Sequence, residues 1–221
     1  MRVLGVDGCR GGWIAAQVDD RKVCWRYAAD IRELLALDAD AVGIDMPIGL
    51  PETGPRACDL AARQLLGPRR ASVFAAPVRA VLDCATYADA RAVLATRGGP
   101  SMSAQAFGIV RAVAQLDAAL TPADNARVVE VHPELVLRFL AGTDLPPKKT
   151  PDGHGRRLDA LRVVHADVDA LVAAAPSPAR RDDAIDALAC ALGAQRWLTG
   201  QATVLGNGET DSRGLPMRIA F

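Results

Sequence analysis

The chain has 221 residues, half of them hydrophobic, which is enough to bury the core of one large domain or two small ones. Its 26 basic and 26 acidic residues cancel, so no overall positive field favours binding of long nucleic acids. Aromatic residues make up only 4% of the chain, which argues against a surface that binds nucleic acid mainly by base stacking.

The five cysteines are widely spaced and form no Cys-x-x-Cys pair, which argues against a zinc site or a disulfide framework. Reduced cysteines, together with the lack of an apolar signal region at the N-terminus, predict a cytoplasmic protein. No apolar run reaches the length of a membrane span, so we expect no membrane partner. We predict one domain over residues 1–221 and leave the oligomeric state open.

The first predicted strand, VLGVDG at residues 3–8, ends in an aspartate and a glycine-rich turn, and residues 13–18 resume as a second strand. Alternate side chains of a strand share a face, so Val3, Gly5 and Asp7 point the same way. Taken alone, this aspartate is an ordinary Asp-Gly turn residue. Its interest comes from similar acids further along the chain.

A third strand at residues 22–27 would complete an antiparallel meander, and Asp30 then caps a helix over residues 31–37. The next strand, residues 41–45, ends in Asp45, which shares a face with the small alanine and glycine of that strand. A helix between two buried strands predicts a crossover to a parallel position. We therefore predict that the first strand lies centrally in the sheet and next to this one.

Three further helices are predicted before the next strand, over residues 56–66, 87–95 and 104–120. The last two are rich in alanine and carry no recognisable chemical motif. Together these segments predict a helical insertion over about residues 52–125.

A long irregular segment at residues 67–79 carries Arg69, Arg70 and Ser72. Long loops in compact domains are often functional, and arginine side chains suit phosphate contacts. An exposed, solvated loop explains the same residues equally well. The segment is therefore a candidate phosphate-binding loop with an ordinary structural alternative.

A third strand with an acid near its end is predicted at residues 127–132, where Glu130 and His132 share a face. Pro133 then opens a helix at its first turn, a position that tolerates proline. We interpret the histidine as a turn residue with satisfied hydrogen bonds rather than as a metal ligand.

The segment at residues 146–157 is polar, basic and rich in glycine and proline, and it contains Lys148 and Lys149. This composition predicts a mobile segment that either closes over a ligand or links two helices. Its two lysines are candidate phosphate contacts.

The last long helix is predicted over residues 178–198, with Ser177 as its N-cap. Its first turns place Asp182, Asp183 and Asp186 on one face, three or four residues apart. One acid near a helix start stabilises the helix dipole, but three clustered acids repel one another. A divalent cation would relieve that repulsion.

The opening hairpin with its aspartate, the later acid-bearing strands and the acidic C-terminal helix resemble the ribonuclease H-like fold. This α/β fold has a mixed sheet, in which a three-strand antiparallel meander is joined by parallel strands, flanked by helices and here extended by helical insertions. Within it, the chain resembles domain-of-unknown-function family 429, a group of predicted nucleases. The matching stretches are GVDGCRGGW at 5–13, IDMPIGLP at 44–51, RRASVF at 69–74, EVHPE at 130–134 and DDAIDA at 182–187.

The resemblance implies Asp7, Asp45 and Asp183 or Asp186 as metal ligands, and Glu130 completes the predicted catalytic set. The helix aspartates are also similar to those of Holliday-junction resolvases. Carboxylate oxygens suit Mg²⁺ or Mn²⁺, and two such ions about 4 Å apart can drive phosphodiester hydrolysis. We therefore predict a divalent-metal-dependent nuclease that uses a two-metal mechanism.

The predicted partner is a nucleic acid or nucleotide-like substrate, and the neutral charge balance favours a short or structured one. The residues predicted to hold its phosphates are Arg69, Arg70, Ser72, Lys148 and Lys149. Two alternatives stay open. Sugar kinases and actin-like ATPases share this fold, but they use two such domains and this chain has length for one. A non-catalytic binding module with a vestigial acid cluster is the other alternative.

Overall fold

The computed structural model describes residues 1–97 and 102–221, and its centre is a five-stranded mixed sheet with the order β3-β2-β1-β4-β5. The strands are β1 (Arg2–Cys9), β2 (Gly12–Asp19), β3 (Lys22–Ala28), β4 (Ala41–Ile44) and β5 (Val128–Glu130). The first three pair antiparallel, whereas β4 runs parallel to both β1 and β5. The predicted mixed sheet, with an antiparallel meander and added parallel strands, is confirmed.

Helices supply the rest of the architecture. They are α1 (Ile31–Leu35), α2 (Ala57–Leu66), α3 (Tyr87–Arg97), α4 (Ala104–Phe107), α5 (Val110–Ala119), α6 (Pro133–Ala141), α7 (Pro151–Arg162), α8 (Val168–Ala173) and α9 (Arg181–Leu198). Short 3₁₀ turns occur at Gly67–Ser72, Arg79–Val81 and Pro122–Ala126, and β6 (Val204–Leu205) pairs with β7 (Ile219–Ala220). None of the helices in the described parts of the chain is both long enough and apolar enough to cross a membrane.

The chain between β4 and β5 contains α2 to α5, where the helical insertion is predicted. Residues 98–101 of that predicted insertion lie outside the described residues. The predicted helix over residues 104–120 is divided in two, with Gly108 following α4 and α5 beginning at Val110. The extent of the insertion and the single domain stay predictions.

The register of β1 and β4 brings their two acids to the same edge of the sheet. Gly5 pairs with Gly43 and Val6 with Ile44, so the next residues, Asp7 and Asp45, lie side by side. The backbone N–H of Asp45 donates to the carbonyl of Val6 at 2.9 Å, which extends the pairing to the acid itself. The predicted neighbouring positions of these two strands are confirmed.

Helix α9 packs directly on this face because glycines replace side chains at the crossing. A Cβ atom on Gly5 would lie 2.0 Å from the nitrogen of Ala191 and 2.1 Å from the carbonyl oxygen of Ala187. A Cβ on Gly43 would lie 2.5 Å from the carbonyl oxygen of Cys190. The small residues that share a face with the two acids therefore let α9 approach the backbone of β1 and β4.

The opposite face of the sheet is covered by a separate hydrophobic core. Leu4, Val6 and Ile44 are fully buried there against Ile31 of α1 and Leu116 of α5. Helices α6 to α9 cover the first face and contribute to the larger core on that side. The protein is thus a layered α/β structure. The ends of β1 and β4, which carry the acids, lie between the helices of the two outer layers.

One expectation for the C-terminal half holds only in part and another is wrong. Residues 146–150 do link two helices, α6 and α7, but the rest of the segment predicted to be mobile is helical from Pro151, and the Thr150 hydroxyl caps that helix by accepting from Gly153 N–H at 3.0 Å. Helix α9 begins at Arg181, so Ser177 is not its N-cap. Proline and glycine content suggested breakers in the first segment, but an N-terminal proline and a capping hydroxyl are compatible with a helix.

Candidate metal centre and adjoining cavity

Three carboxylates meet at the edge of the sheet where β1 and β4 end. Asp7 lies near the end of β1, Asp45 follows β4 directly, and Asp186 lies in the second turn of α9. Asp7 and Asp186 are only 8% and 6% exposed. The close packing of α9 on the sheet thus brings one helix acid beside two strand acids.

Burial and mutual repulsion disfavour the charged forms of these acids. The pKa of Asp7 is well above its usual range because of burial and then the charges of Asp45 and Asp186. Burial and Asp186 likewise raise the pKa of Asp45. No described residue donates a hydrogen bond to either strand carboxylate, so their oxygens are available to a ligand.

The other two helix acids have different surroundings. Asp183 accepts a hydrogen bond from the backbone N–H of Arg180 at 2.8 Å and lines the edge of the site. Asp182 has a side chain that is 42% exposed and lies 3.4 Å from the Nδ1 atom of His154. Asp186 is therefore the helix acid that lies deepest among the carboxylates.

Lys148 supplies a positive charge inside the acidic group. Its Nζ atom donates to Oδ2 of Asp186 at 3.1 Å. Burial alone lowers the pKa of Lys148, but the charges of Asp186, Asp7 and Asp45 outweigh that effect and raise it. Burial raises the pKa of Asp186 to about 6, although the ammonium acts in the opposite direction. The sequence singled out this lysine as a phosphate contact, whereas its described partner is an acid.

Glu130 lies beside the group, but its carboxylate is held by a buried arginine. Arg56 donates to its two oxygens at 2.7 and 2.8 Å, and the N–H of Ile48 donates to Oε2 at 2.8 Å. The same guanidinium also binds Asp59, and its side chain is fully buried. A carboxylate engaged in this way has less freedom to bind a ligand than Asp7, and a catalytic role for Glu130 stays a prediction.

A cavity of about 630 Å³ adjoins the three carboxylates. Its basic and polar lining includes Arg69, Ser72 and Lys149, and the Nε atom of Arg69 has no hydrogen-bond partner among the described residues. Arg70 is exposed and is not among the described residues that line the cavity. The apolar lining includes Met46, Phe74 and Ile109. The cavity thus has carboxylates at its floor and both basic and apolar side chains along its wall.

His132 is a cavity residue whose chemistry the sequence interpretation missed. A hydrogen bond with the backbone of Ser72 supports the ring, but its Nδ1 atom is buried and has no hydrogen-bond partner among the described residues, so the prediction of a satisfied turn histidine holds only in part. Burial lowers the pKa of the ring, which favours neutral imidazole. The position of His132, two residues after the acid of an acid-bearing strand, is the signal that pointed to this edge of the sheet.

The donor atoms suit a hard divalent cation, but they are not already arranged around one. Carboxylate oxygens without protein partners are the ligands that Mg²⁺ and Mn²⁺ prefer. Within residues 1–97 and 102–221, however, no three His, Cys, Asp or Glu side chains form a ready-made metal site. Binding would therefore require the side chains of Asp7, Asp45 and Asp186 to rotate towards one point.

Comparison with known proteins gives a family but no described activity. No curated protein and no solved structure matches the chain. A family model described as "Protein of unknown function (DUF429)" matches residues 5–210, which include the three carboxylates and most of the cavity. This match covers nearly the whole chain, and the protein therefore belongs to the DUF429 family of proteins of unknown function.

Proposed function

We propose that the protein has a ribonuclease H-like fold and is a nuclease that hydrolyses phosphodiester bonds with the help of Mg²⁺ or Mn²⁺. The observation that supports this most is the meeting of Asp7, Asp45 and Asp186 at the floor of the cavity. Two of these carboxylates lack protein hydrogen bonds among the described residues, and all three have raised pKa values. Such a group is electrostatically suited to a divalent cation.

Each part of the site has a role in this chemistry. Bound Mg²⁺ or Mn²⁺ would stabilise negative charge on the phosphate and favour ionisation of a water molecule. Asp7, Asp45 and Asp186 would hold the cation, while Arg69, which lines the cavity, would bind a phosphate oxygen through its guanidinium. His132, as neutral imidazole, offers a hydrogen bond to the substrate or to a water molecule.

The proposed substrate is a short single strand or a nucleotide-like molecule. The deepest carboxylates are less than a tenth exposed, so a phosphate must enter the cavity to reach them. A volume of about 630 Å³ suits a small ligand, and the apolar wall offers a surface for a base or sugar. A rigid duplex would have to open before one of its phosphates reached the same position.

The direct test compares cleavage of a dinucleotide, a short single strand and a duplex of the same sequence, each with Mn²⁺ and with a chelator. We expect Mn²⁺-dependent cleavage that is faster for the single strand than for the duplex. Turnover of ATP without strand cleavage would favour phosphoryl transfer. Binding of Mn²⁺ without any cleavage would favour the non-catalytic binding module.

The phosphate role of the 67–79 segment can be tested with neighbouring arginines. Arg69→Ala is expected to raise KM about tenfold or more, because hydrogen bonds to charged groups contribute roughly 1.5–3 kcal/mol. It should also make KM less dependent on salt concentration. Arg70→Ala is the matched control, since Arg70 is exposed and outside the described cavity lining. Equal effects of the two substitutions on KM would contradict a specific phosphate contact.

The raised pKa values predict how metal binding depends on pH. An acid must lose its proton before it binds a cation, and the pKa of Asp186 is about 6. The increase in Tm caused by Mn²⁺ should therefore be small at about pH 5 and large at about pH 8. Over the same range the metal-free protein should lose stability, since acids with raised pKa values favour the fold when protonated. A Tm increase that is independent of pH would contradict the assignment.

A further inference from the structure

Lys148 lies in the acidic group in a position suited to a bound cation. Its ammonium donates to Asp186 and also interacts electrostatically with both strand acids. Among the charged groups that most affect the pKa of Asp7, Lys148 is the cation, and it lowers that pKa. Lys148 lowers the pKa of Asp45 in the same way. The lysine therefore offsets the repulsion of all three carboxylates rather than of one partner.

A turn holds the backbone of Lys148 in this position. The N–H and the hydroxyl of Thr150 both donate to the carbonyl of Pro147, at 3.0 and 2.8 Å. The guanidinium of Arg157 donates to the carbonyl of Pro146 at 2.9 Å, just before that turn. The backbone on both sides of the lysine is thus fixed to the first turns of α7.

The arginine that anchors this turn is itself fixed by a buried ion pair. Arg157 is 2% exposed and binds Glu134 at the start of α6 through two hydrogen bonds of 2.9 and 2.7 Å. In addition, a Cβ atom on Gly153 would lie 2.0 Å from the carbonyl oxygen of Pro147, so α7 packs against the turn without space between them. Withdrawal of the backbone of Lys148 from the acidic group would require rearrangement of buried contacts.

The ammonium of Lys148, whose side chain is 40% exposed, changes the number of metal ions that the group can hold. When ionised, the four acids that line the floor carry four negative charges, and Lys148 contributes one positive charge; the acids are Asp7, Asp45, Asp183 and Asp186. One divalent cation leaves this group with a single net negative charge, whereas a second would make it net positive and would lie close to the ammonium, which repels it. The ammonium also occupies Oδ2 of Asp186, an oxygen that a second ion would need.

We propose that Lys148 takes the place of one of the two cations of a two-metal site, so that this protein binds a single divalent ion. The inference rests on the proposed metal-dependent function. It replaces the two metal ions of the predicted mechanism with one. Lys148 is then a positioning residue, which sets the occupancy of the site by its charge. The ammonium would also lie beside the phosphate that the single ion binds.

Mn²⁺ titration followed by calorimetry and electron paramagnetic resonance tests this proposal without any substrate. Wild-type protein is expected to bind one Mn²⁺ per chain and to give the signal of an isolated ion. Lys148→Met should bind two, with the altered signal of a pair of ions about 4 Å apart. Lys149→Met is the matched control and should bind one, because Lys149 lines the same cavity whereas the ion pair with Asp186 is made by Lys148.

The outcomes separate this inference from the proposed function. Two ions in wild type, or one ion in folded Lys148→Met, would overturn the inference even if the protein is a nuclease. One ion in wild type with no cleavage of any phosphodiester would support the inference and contradict the nuclease function. If Lys148→Met does not fold, Lys148→Gln removes the charge but keeps a polar side chain and should bind two ions, and one ion there would overturn the inference.

Discussion

Asp7→Asn is expected to abolish Mn²⁺-dependent hydrolysis and to remove most of the stabilisation by Mn²⁺, while the metal-free protein stays as stable as wild type or becomes slightly more stable. Asparagine keeps the shape of the side chain but cannot carry its charge. Burial and the charges of Asp45 and Asp186 raise the pKa of Asp7, so ionisation destabilises the folded wild type. That destabilisation begins above the ordinary aspartate pKa and grows as pH rises, so the advantage of the variant should also grow with pH.

The measurement is thermal unfolding of both proteins with and without Mn²⁺, beside the cleavage assay. Ligands that bind only the native state raise Tm, so the loss of the Mn²⁺-induced shift reports loss of binding. Asp182→Asn is the matched control, because Asp182 lies on the same helix with a side chain that is 42% exposed. An equal Mn²⁺ shift in wild type and Asp7→Asn would show that this carboxylate is not a ligand.

Gly5→Ala is expected to destabilise the fold by about 3 kcal/mol or more, the range of severe overpacking in a core. The added methyl group would overlap backbone atoms of Ala187 and Ala191, which cannot rotate away as a side chain can. Helix α9 would therefore have to move off β1. Because that helix carries Asp186, the Mn²⁺-induced stabilisation and the hydrolysis should fall together with the stability.

Denaturant unfolding measures this effect, and Gly155→Ala provides the control. Gly155 lies in α7, and a Cβ atom there would meet no atom within 4 Å. Alanine is the better helix former, so this substitution should be neutral or stabilise by about 0.5–1 kcal/mol. A Gly5→Ala protein as stable as Gly155→Ala would show that the close contact between helix and sheet does not limit stability.

The alternation of residues along β1 and β4 contained most of the information about the fold. It placed the acids on the same face as small residues and predicted that the two strands are neighbours, which the register confirms. The reason is physical: a strand face with glycine at its centre can accept a helix, and an acid at its end then lies beside that helix. Local pattern therefore predicted Asp7 and Asp45 as neighbours.

The rest of the site depends on contacts between distant parts of the chain. Arg56 binds Glu130 from 74 positions away, and Lys148 reaches Asp186 across 38 positions. Neither pairing has a signature in spacing, because each results from how helices pack on the sheet. Buried ion pairs also explain the error in residues 146–157, where Arg157 stabilises a helix in a sequence that its composition alone suggests is a loop.

Arg56 separates the acids of this region into those that it pairs, Glu130 and Asp59, and those that it does not. Its guanidinium neutralises Glu130 and Asp59 inside the protein, where both serve to join β5, α2 and the loop after β4. A ligand in the cavity therefore meets unpaired carboxylates at its floor and the basic side chains of its wall, whereas the charges of Glu130 and Asp59 are already paired. As a result, a substitution at the floor of the cavity should alter cation or substrate binding while the ion pairs of Arg56 continue to join these elements.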